Sequence, residues 1–303
     1  MALPRTATAA GITAGIAAAG LAWGLAEAAM FTVRRVTLPI LPPGGEPLKV
    51  LHVSDIHLTT RQHFKLDFIR RLERLRPDLI VNTGDNIADP EAVFPLMAAW
   101  NRLRFVPGVF VFGSNDYYAP KVANPLRYLT HGRSRSASPD SPTLPTEELR
   151  GAFEKVGWVD LNHHRATLEV ADYRLGFRGT DDAHLGRDNY ALVAGPDSDV
   201  DLSIGVTHAP YRGVLDAMTE DGLDLIFAGH THGGQVCLPG YGALTSNSDL
   251  PTRQAQGLSI YRHALAASHL HVSNGVGTSP YAPVRFACRP SVTLVTLTTL
   301  DVA

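Results

Sequence analysis

LDLIFAGHTH, residues 223–232, is almost continuously apolar from Leu225 to Ala228 and then delivers two histidines beside a glycine. A short apolar run that closes on turn-forming residues reads as a buried β-strand. The pattern recurs in KVLHVSDIH (49–57), DLIVNTGD (78–85), GVFVFGSND (108–116) and LSIGVTH (202–208). Helical periodicity lies between these runs. Phe64, Phe68, Leu72 and Leu75 share one face of a segment over 64–76 that stops before Pro77, and shorter helices are expected over 91–103 and 211–220. Strands alternating with helices predict an α/β chain with parallel strands. Later runs, HRATLEV (164–170), YRLGFRG (173–179), LSIYRH (258–263), LHVSNGVG (270–277) and SVTLVTLTTL (291–300), are β-rich with few helices between them. They predict a second sheet packed on the first.

Each of the five apolar runs ends in ionisable or amide residues: Asp55 with His57, Asp85, Asn115 with Asp116, His208, and His230 with His232. In α/β sheets, ligands gather at the carboxyl ends of the strands. Buried strand ends have no intrinsic need for charge, and an uncompensated buried charge is costly, so a bound cation is the simplest compensation. Residues i and i+2 of an extended segment point to one side, which would aim Asp55 with His57, and His230 with His232, at a common point. Carboxylate, imidazole and amide without thiolate suit Mn, Fe or Zn. The set is larger than one ion uses and fits two divalent ions sharing a carboxylate.

The 303 residues are 45% hydrophobic and 18% charged, enough for a substantial core, and the net charge of −2 gives no footprint for nucleic acid. Cys237 and Cys288, the two cysteines, have no CxxC spacing, so neither a Cys-rich zinc site nor a disulfide framework is indicated, and both read as small buried hydrophobes. Residues 1–35 are read as an apolar membrane segment or signal anchor, with a cleaved signal or a surface-lying helix as competing readings. The stretch 131–148, rich in Ser, Pro and charge, is read as a mobile insertion.

DIH (55–57), GD (84–85), GSND (113–116), TH (207–208) and GHTH (229–232) resemble, in order, the five motifs of the calcineurin-like metallophosphoesterases. The resemblance covers roughly 48–297. GTDD (179–182) and GVGTSPYAPVRFACRP (275–290) are similar to the membrane-associated bacterial phosphodiesterase-type branch. The resemblance implies a domain over 48–300 with two facing mixed β-sheets flanked by helices, a four-layer α/β/β/α fold. It implies that Asp55, His57, Asp85 and His232 hold one ion and that Asp85, Asn115, His208 and His230 hold the other, with Asp85 bridging.

The third motif departs from the family pattern, which has Asn then His after the glycine. In one register Ser114 takes the ligand position and Asn115 replaces the histidine; in the other Asn115 is the ligand and Asp116 stands in the histidine's place. Asn115 is preferred, because an amide oxygen binds a hard cation better than a neutral hydroxyl does. Asn115, Asp116 and His208 are the expected catalytic residues, and Asp116, Tyr117 or His184 could supply the missing proton donor unless the leaving group needs none. His184, Asp182 and Tyr117 are candidates for the surrounding shell, as is His271, whereas His52 reads as a packed strand residue.

The expected function is dinuclear metal-dependent hydrolysis of a phosphodiester, pyrophosphate or phosphomonoester, on a small or lipid-linked substrate at the bacterial cell membrane. The altered third motif keeps open the alternative of a catalytically weak scaffold at the membrane.

Overall fold

The structure, a computed structural model, describes residues 5–122 and 139–300, with side chains from residue 15 onward. Two six-stranded mixed sheets face one another. The first has the order β1 (Thr32–Leu41), β14 (Ser291–Thr299), β2 (Leu48–Val53), β3 (Leu79–Asn82), β4 (Gly108–Phe110) and β5 (Val159–Asp160). The second runs β12 (Gly257–His263), β13 (Ala266–Val272), β9 (Leu225–Ala228), β8 (Leu202–Thr207), β7 (Tyr173–Gly179) and β6 (Arg165–Val170). β2 through β5 pair in parallel, as do β7, β8, β9 and β13, so both sheets send several carboxyl ends in one direction.

Alternation along the strands builds the layers. Leu48 and Val50 of β2 enter the core between the sheets, where they meet Leu175, Ile204, Leu225 and Phe227 from the other side. Leu51 and Val53 point the opposite way, onto the helices His63–Arg71 (α2), Val93–Trp100 (α3) and Thr146–Lys155 (α5), through Phe68, Ile69, Leu96, Trp100 and Phe153. On the far face of the second sheet, Ile226 and Leu270 pack on Val214, Leu215 and Met218 of α6 (Arg212–Glu220). A two-residue side-chain period thus generates two outer cores and one inner core, the four-layer arrangement.

The inner core contains a polar seam. His52 of β2 and His271 of β13 approach Nδ1 to Nδ1 at 2.8 Å across the sheets, and the His52 Nε2 pairs with Thr83 Oγ1 at 2.9 Å. His52 is therefore packed as the strand reading required, while His271 is its partner in the seam.

Two local expectations come out differently. The helix expected over 64–76 is α-helical over His63–Arg71 and tightens to a 3-10 turn over Leu72–Leu75. Its Phe64 is about half exposed (48%), with one ring face against Phe31. Of the insertion expected over 131–148, residues 131–138 lie outside the described set; in the described part Ser141 and Leu144 are buried, Pro142, Thr143, Glu147 and Glu148 are exposed, and Thr146 Oγ1 donates to the Asp116 carbonyl at 2.7 Å.

The N-terminal segment forms the helix Arg5–Glu27 (α1). Among the described residues, no helix is long and apolar enough to cross a membrane. The last turn of α1 is fastened to the domain: buried Glu27 accepts from the Cys288 and Ala287 amides at 2.8 and 3.1 Å and from Trp23 Nε1 at 2.9 Å.

Candidate metal centre

The residues singled out at the strand ends converge. β2, β3, β8 and β9 stop one to three residues before Asp55, Asp85, His208 and His230, and β4 stops five before Asn115. Asp55, His57, Asp85, Asn115, His208, His230 and His232 are all buried. Donor atoms of Asp55, His57 and His232 lie within 4.8 Å of one another, as do those of Asp55, Asp85 and His208.

The chain does not reach this arrangement by extended geometry. Asp55, His57, Asp85, His230 and His232 all have left-handed backbones, with φ of 50°, 44°, 56°, 66° and 52°. Each such conformation in a non-glycine residue costs roughly 1 kcal/mol or more, and strain of this kind clusters at functional sites. The convergence anticipated from i and i+2 spacing is present, but sharp turns beyond the strand ends create it.

Two glycines make room. A Cβ on Gly113 would collide with Asp85 Oδ1 and the His208 ring, and one on Gly229 would collide with Ser54 Oγ and reach Asp55 Oδ2 at 2.8 Å.

Backbone carbonyls fix the imidazole tautomers. His208 Nδ1 donates to the Thr83 carbonyl at 2.6 Å, and His232 Nδ1 donates to that of Gly277 at 3.0 Å, which turns each Nε2 toward the carboxylates. His230 is reversed: its Nε2 donates to the Asn247 carbonyl at 3.1 Å, so Nδ1 faces inward. The inward nitrogens crowd one another, with His57 Nε2 3.2 Å from His232 Nε2 and His230 Nδ1 3.3 Å from His208 Nε2. Lone pairs gathered this closely around carboxylates are the donor pattern of a cation site.

Asp85 Oδ2 lies 3.4 Å from His57 Nε2 and 3.5 Å from His208 Nε2, between the two groups. Asp55 is common to both compact groups: its Oδ1 is 3.5 Å from His232 Nε2, and both oxygens accept from the His230 amide at 3.1 Å.

Asn115 sits in the single helical turn Ser114–Tyr117 (α4). Its Nδ2 donates to Asp85 Oδ2 at 2.9 Å and its amide N to Asp85 Oδ1 at 2.7 Å, while Oδ1 is buried without a hydrogen-bond partner. Ser114 Oγ accepts from Asn115 Nδ2 at 3.4 Å. An orphaned amide oxygen beside Asp85 fits a hard cation, as do the carboxylates and imidazoles around it.

Asp116 has a different position from the one expected of a proton donor. Its carboxylate accepts from the amides of Asp85, Asn86 and Gly113 at 2.7, 2.7 and 3.0 Å. It is turned onto the loop that carries Asp85. Asp182 Oδ1 caps the following turn by accepting from the His184 amide at 2.9 Å, and its buried Oδ2 has no partner. The His184 ring stands 4.5 Å from that of His230, and its Nδ1 pairs with Tyr211 Oη at 2.8 Å. Tyr117 Oη donates to Asp181 Oδ1 at 2.7 Å.

Burial dominates the electrostatics. It lowers the pKa values of His57, His230 and His232 well below the usual imidazole range, which favours the neutral, ligating form. Burial pushes Asp55 up to about 6, Asp116 up to about 7 and Asp182 up to about 7, with Asp85 adding to each. Burial also works to lower the His208 pKa, but Asp85, Asp182 and Asp55 outweigh it and raise the value to about 9.

Two buried cations behind the site had no signal in the sequence. Lys65 Nζ donates to the carbonyls of Ile56 and His57 at 2.6 and 3.1 Å; burial, then Arg285, lowers its pKa to about 7. Arg285, with no exposed surface, donates from Nη1 to the His232 carbonyl at 2.6 Å and from Nη2 to those of Gly277 and Asn274 at 2.6 and 2.8 Å. The segment 275–290 is distinctive in sequence, but its spacing does not reveal that its arginine braces a histidine turn.

The chain is similar to known proteins. Residues 48–234 match the calcineurin-like phosphoesterase family. The chain is 26% identical over 277 residues to the uncharacterized metallophosphoesterase YkuE of Bacillus subtilis, covering 88% of this chain and 84% of that protein. It is 25% identical over 283 residues to the phosphodiesterase YaeI of Escherichia coli, covering 89% and 90%. A bovine transmembrane protein with a metallophosphoesterase domain is 31% identical over 216 residues, covering 67% of this chain and 45% of its own. Among solved structures, a dimetal phosphatase from Danio rerio superposes with a TM-score of 0.42 at 12% identity, over 76% of this chain and 88% of that one. The family match covers more than half of the chain, including every residue from Asp55 to His232, and the chain belongs to the calcineurin-like phosphoesterases.

Proposed function

We propose that the protein is a dinuclear metal-dependent phosphoester hydrolase that acts on a diester or pyrophosphate. The observation that carries this reading is Asp85, whose Oδ2 stands between His57 and His208 while its other oxygen is held by the Asn115 amide. Asp55, His57, Asp85 and His232 would hold one divalent ion; Asp85, Asn115, His208 and His230 would hold the second. When bound, such a pair supplies Lewis acidity to the phosphoryl oxygens and acidity to the attacking water.

The chain's own residues supply positioning. Thr83, Gly277 and Asn247 fix the imidazole tautomers through their carbonyls. Asp116 holds the Asp85 loop through three amides, and Lys65 and Arg285 brace the turns that carry His57 and His232. With Asp116 committed to backbone, no residue of the third motif is free to protonate a leaving oxygen. A leaving group of low basicity, such as a phosphate ester or an aryl oxide, fits that arrangement.

Membrane association through α1 belongs to the same reading. Ile16, Leu21, Trp23 and Leu25 are exposed on a helix whose last turn is anchored beside the His232 support, apolar surface that a lipid layer would cover. Sedimentation with anionic lipid vesicles, compared with a chain lacking residues 1–22, tests that part.

The hydrolase reading is tested by loading purified protein with Mn, Fe or Zn and measuring turnover of bis(p-nitrophenyl) phosphate. Turnover that requires metal and is abolished in Asp85→Asn supports it; turnover that survives unchanged in that variant overturns it.

A further inference from the structure

Beyond α4, away from the ligands, a cavity of about 400 Å³ is lined by Tyr117, Tyr118, Leu144, Thr146, Glu148 and Arg187, among others. Arg187 links this cavity to the candidate metal centre through the 181–184 turn: it is bonded to Asp181, the next residue Asp182 accepts from the His184 amide at 2.9 Å, and the His184 ring stands 4.5 Å from that of His230. Arg187 is the cation of this cavity, and it is held in place. Its Nε donates to Asp181 Oδ2 at 2.8 Å, and its guanidinium lies over the Tyr117 ring at 4.0 Å. The other oxygen of Asp181 accepts from Tyr117 Oη at 2.7 Å, which closes a three-residue cycle. Nη1 and Nη2 have no hydrogen-bond partner among the described residues, and the side chain is 43% exposed.

We infer that Arg187 is a specificity-determining residue that binds a second phosphate, carried by the substrate beyond the scissile phosphoryl group. An arginine whose Nε is tied by a carboxylate and whose face is stacked on an aromatic ring presents its remaining fork at little entropic cost, and that fork matches two oxygens of one phosphate. Asp181 does not cancel this role: it uses the Nε edge and leaves the terminal nitrogens to the cavity. Glu147 and Glu148 also line the cavity, and Glu147 is paired with Arg150 Nε at 3.1 Å. A bound anion therefore belongs at Arg187, while the glutamates suit the hydroxyl groups of a sugar or polyol. The commitment of Asp116 to backbone amides points the same way, because a phosphate ester departs without being protonated.

This inference rests on the hydrolase reading above, and its test separates the two. Two chromogenic diesters that differ by one phosphate serve as probes: thymidine 5′-(p-nitrophenyl phosphate) and its 3′-phosphorylated counterpart. With the manganese-loaded full-length protein, the expected result is a higher kcat/KM for the doubly phosphorylated probe. Arg187→Ala should lower the ratio of the two kcat/KM values at least tenfold, mainly through KM. Arg187→Lys should retain part of the preference, and Asp181→Asn, which frees the guanidinium, should lower it to an intermediate value. A wild-type ratio near one, or a ratio that Arg187→Ala leaves within twofold, overturns the subsite while the hydrolase reading stands. Absence of turnover of both probes by the wild type overturns the hydrolase reading and the subsite with it.

Discussion

Asn115 gives its amide nitrogen to Asp85 Oδ2 at 2.9 Å and leaves its own carbonyl oxygen buried with no hydrogen-bond partner. That pairing is the observation behind the proposal of Asn115, not Ser114, as the ligand of the GSND motif: the orphaned oxygen lies beside the carboxylate proposed to bridge. Asn115→Ala is expected to lose the second ion and to lower kcat about 100-fold, the scale of losing a well-placed polar group in such a site. Ser114→Ala is expected to stay within about threefold. Metal analysis of each purified variant, alongside turnover of bis(p-nitrophenyl) phosphate, checks both; equal losses in the two variants would reopen the register.

Asp116 is expected to act on the Asp85 loop and not as an acid. Asp116→Asn replaces one acceptor oxygen with an NH2 group facing backbone amides, which leaves buried donors unsatisfied at a cost of roughly 1–3 kcal/mol each. Thermal unfolding should move down by several degrees and activity should fall, with no change in the shape of the pH–rate profile. Loss of one limb of that profile, with stability intact, would restore Asp116 as a proton donor.

The glycines at the ends of β4 and β9 are expected to be intolerant of a single methyl group. Gly113→Ala would drive a Cβ into Asp85 and His208, and Gly229→Ala into Ser54 and Asp55. Each should lower metal content and activity by about 100-fold, the upper end seen when ligand support is disturbed. Gly151→Ala, in α5 with nothing within 4 Å of the added carbon, is the control and should gain about 0.5 kcal/mol of stability. Chemical denaturation and metal analysis of the three variants separate clearance from helix propensity.

The site was legible in the sequence because ligands must sit where strands end, and apolar runs closing on Asp, Asn or His mark those ends without any knowledge of the turns. The geometry of the turns was not legible. The extended spacing invoked for Asp55 with His57, and for His230 with His232, is replaced by left-handed backbone at all four residues, a conformation with no residue signature apart from flanking glycines. Lys65 and Arg285 escaped for a related reason: a buried cation looks like a surface one until the carbonyls it satisfies are brought to it by chain segments distant in sequence. The two sheets were foreshadowed by the period-2 alternation of β6 and the near-continuous apolarity of β8 and β9. The role of Glu27 in fastening α1 to the Cys288 loop depends on tertiary context that the sequence does not display.

Acid stability is expected to depend on the His52–His271 seam. Burial, followed by Arg34, lowers the His271 pKa to about 4, and burial, followed by His271, lowers that of His52 as well. The unfolded chain, with imidazole near 6.5, binds protons that the folded seam refuses, so the folded state is fully favoured above about pH 6.5 and loses stability as pH falls toward 4. For His271 alone the linkage is on the order of 3 kcal/mol across that window. Urea unfolding at pH 7, 5.5 and 4.5 should show His271→Gln losing less stability on acidification than the wild type; parallel losses would remove the seam as the cause.

Anomalous diffraction from crystals grown with manganese tests the central claim most directly. Two peaks are expected on either side of Asp85, one among Asp55, His57 and His232 and the other among Asn115, His208 and His230. A fully loaded crystal with a single ion, or with none among these residues, would contradict a dinuclear centre built on Asp85.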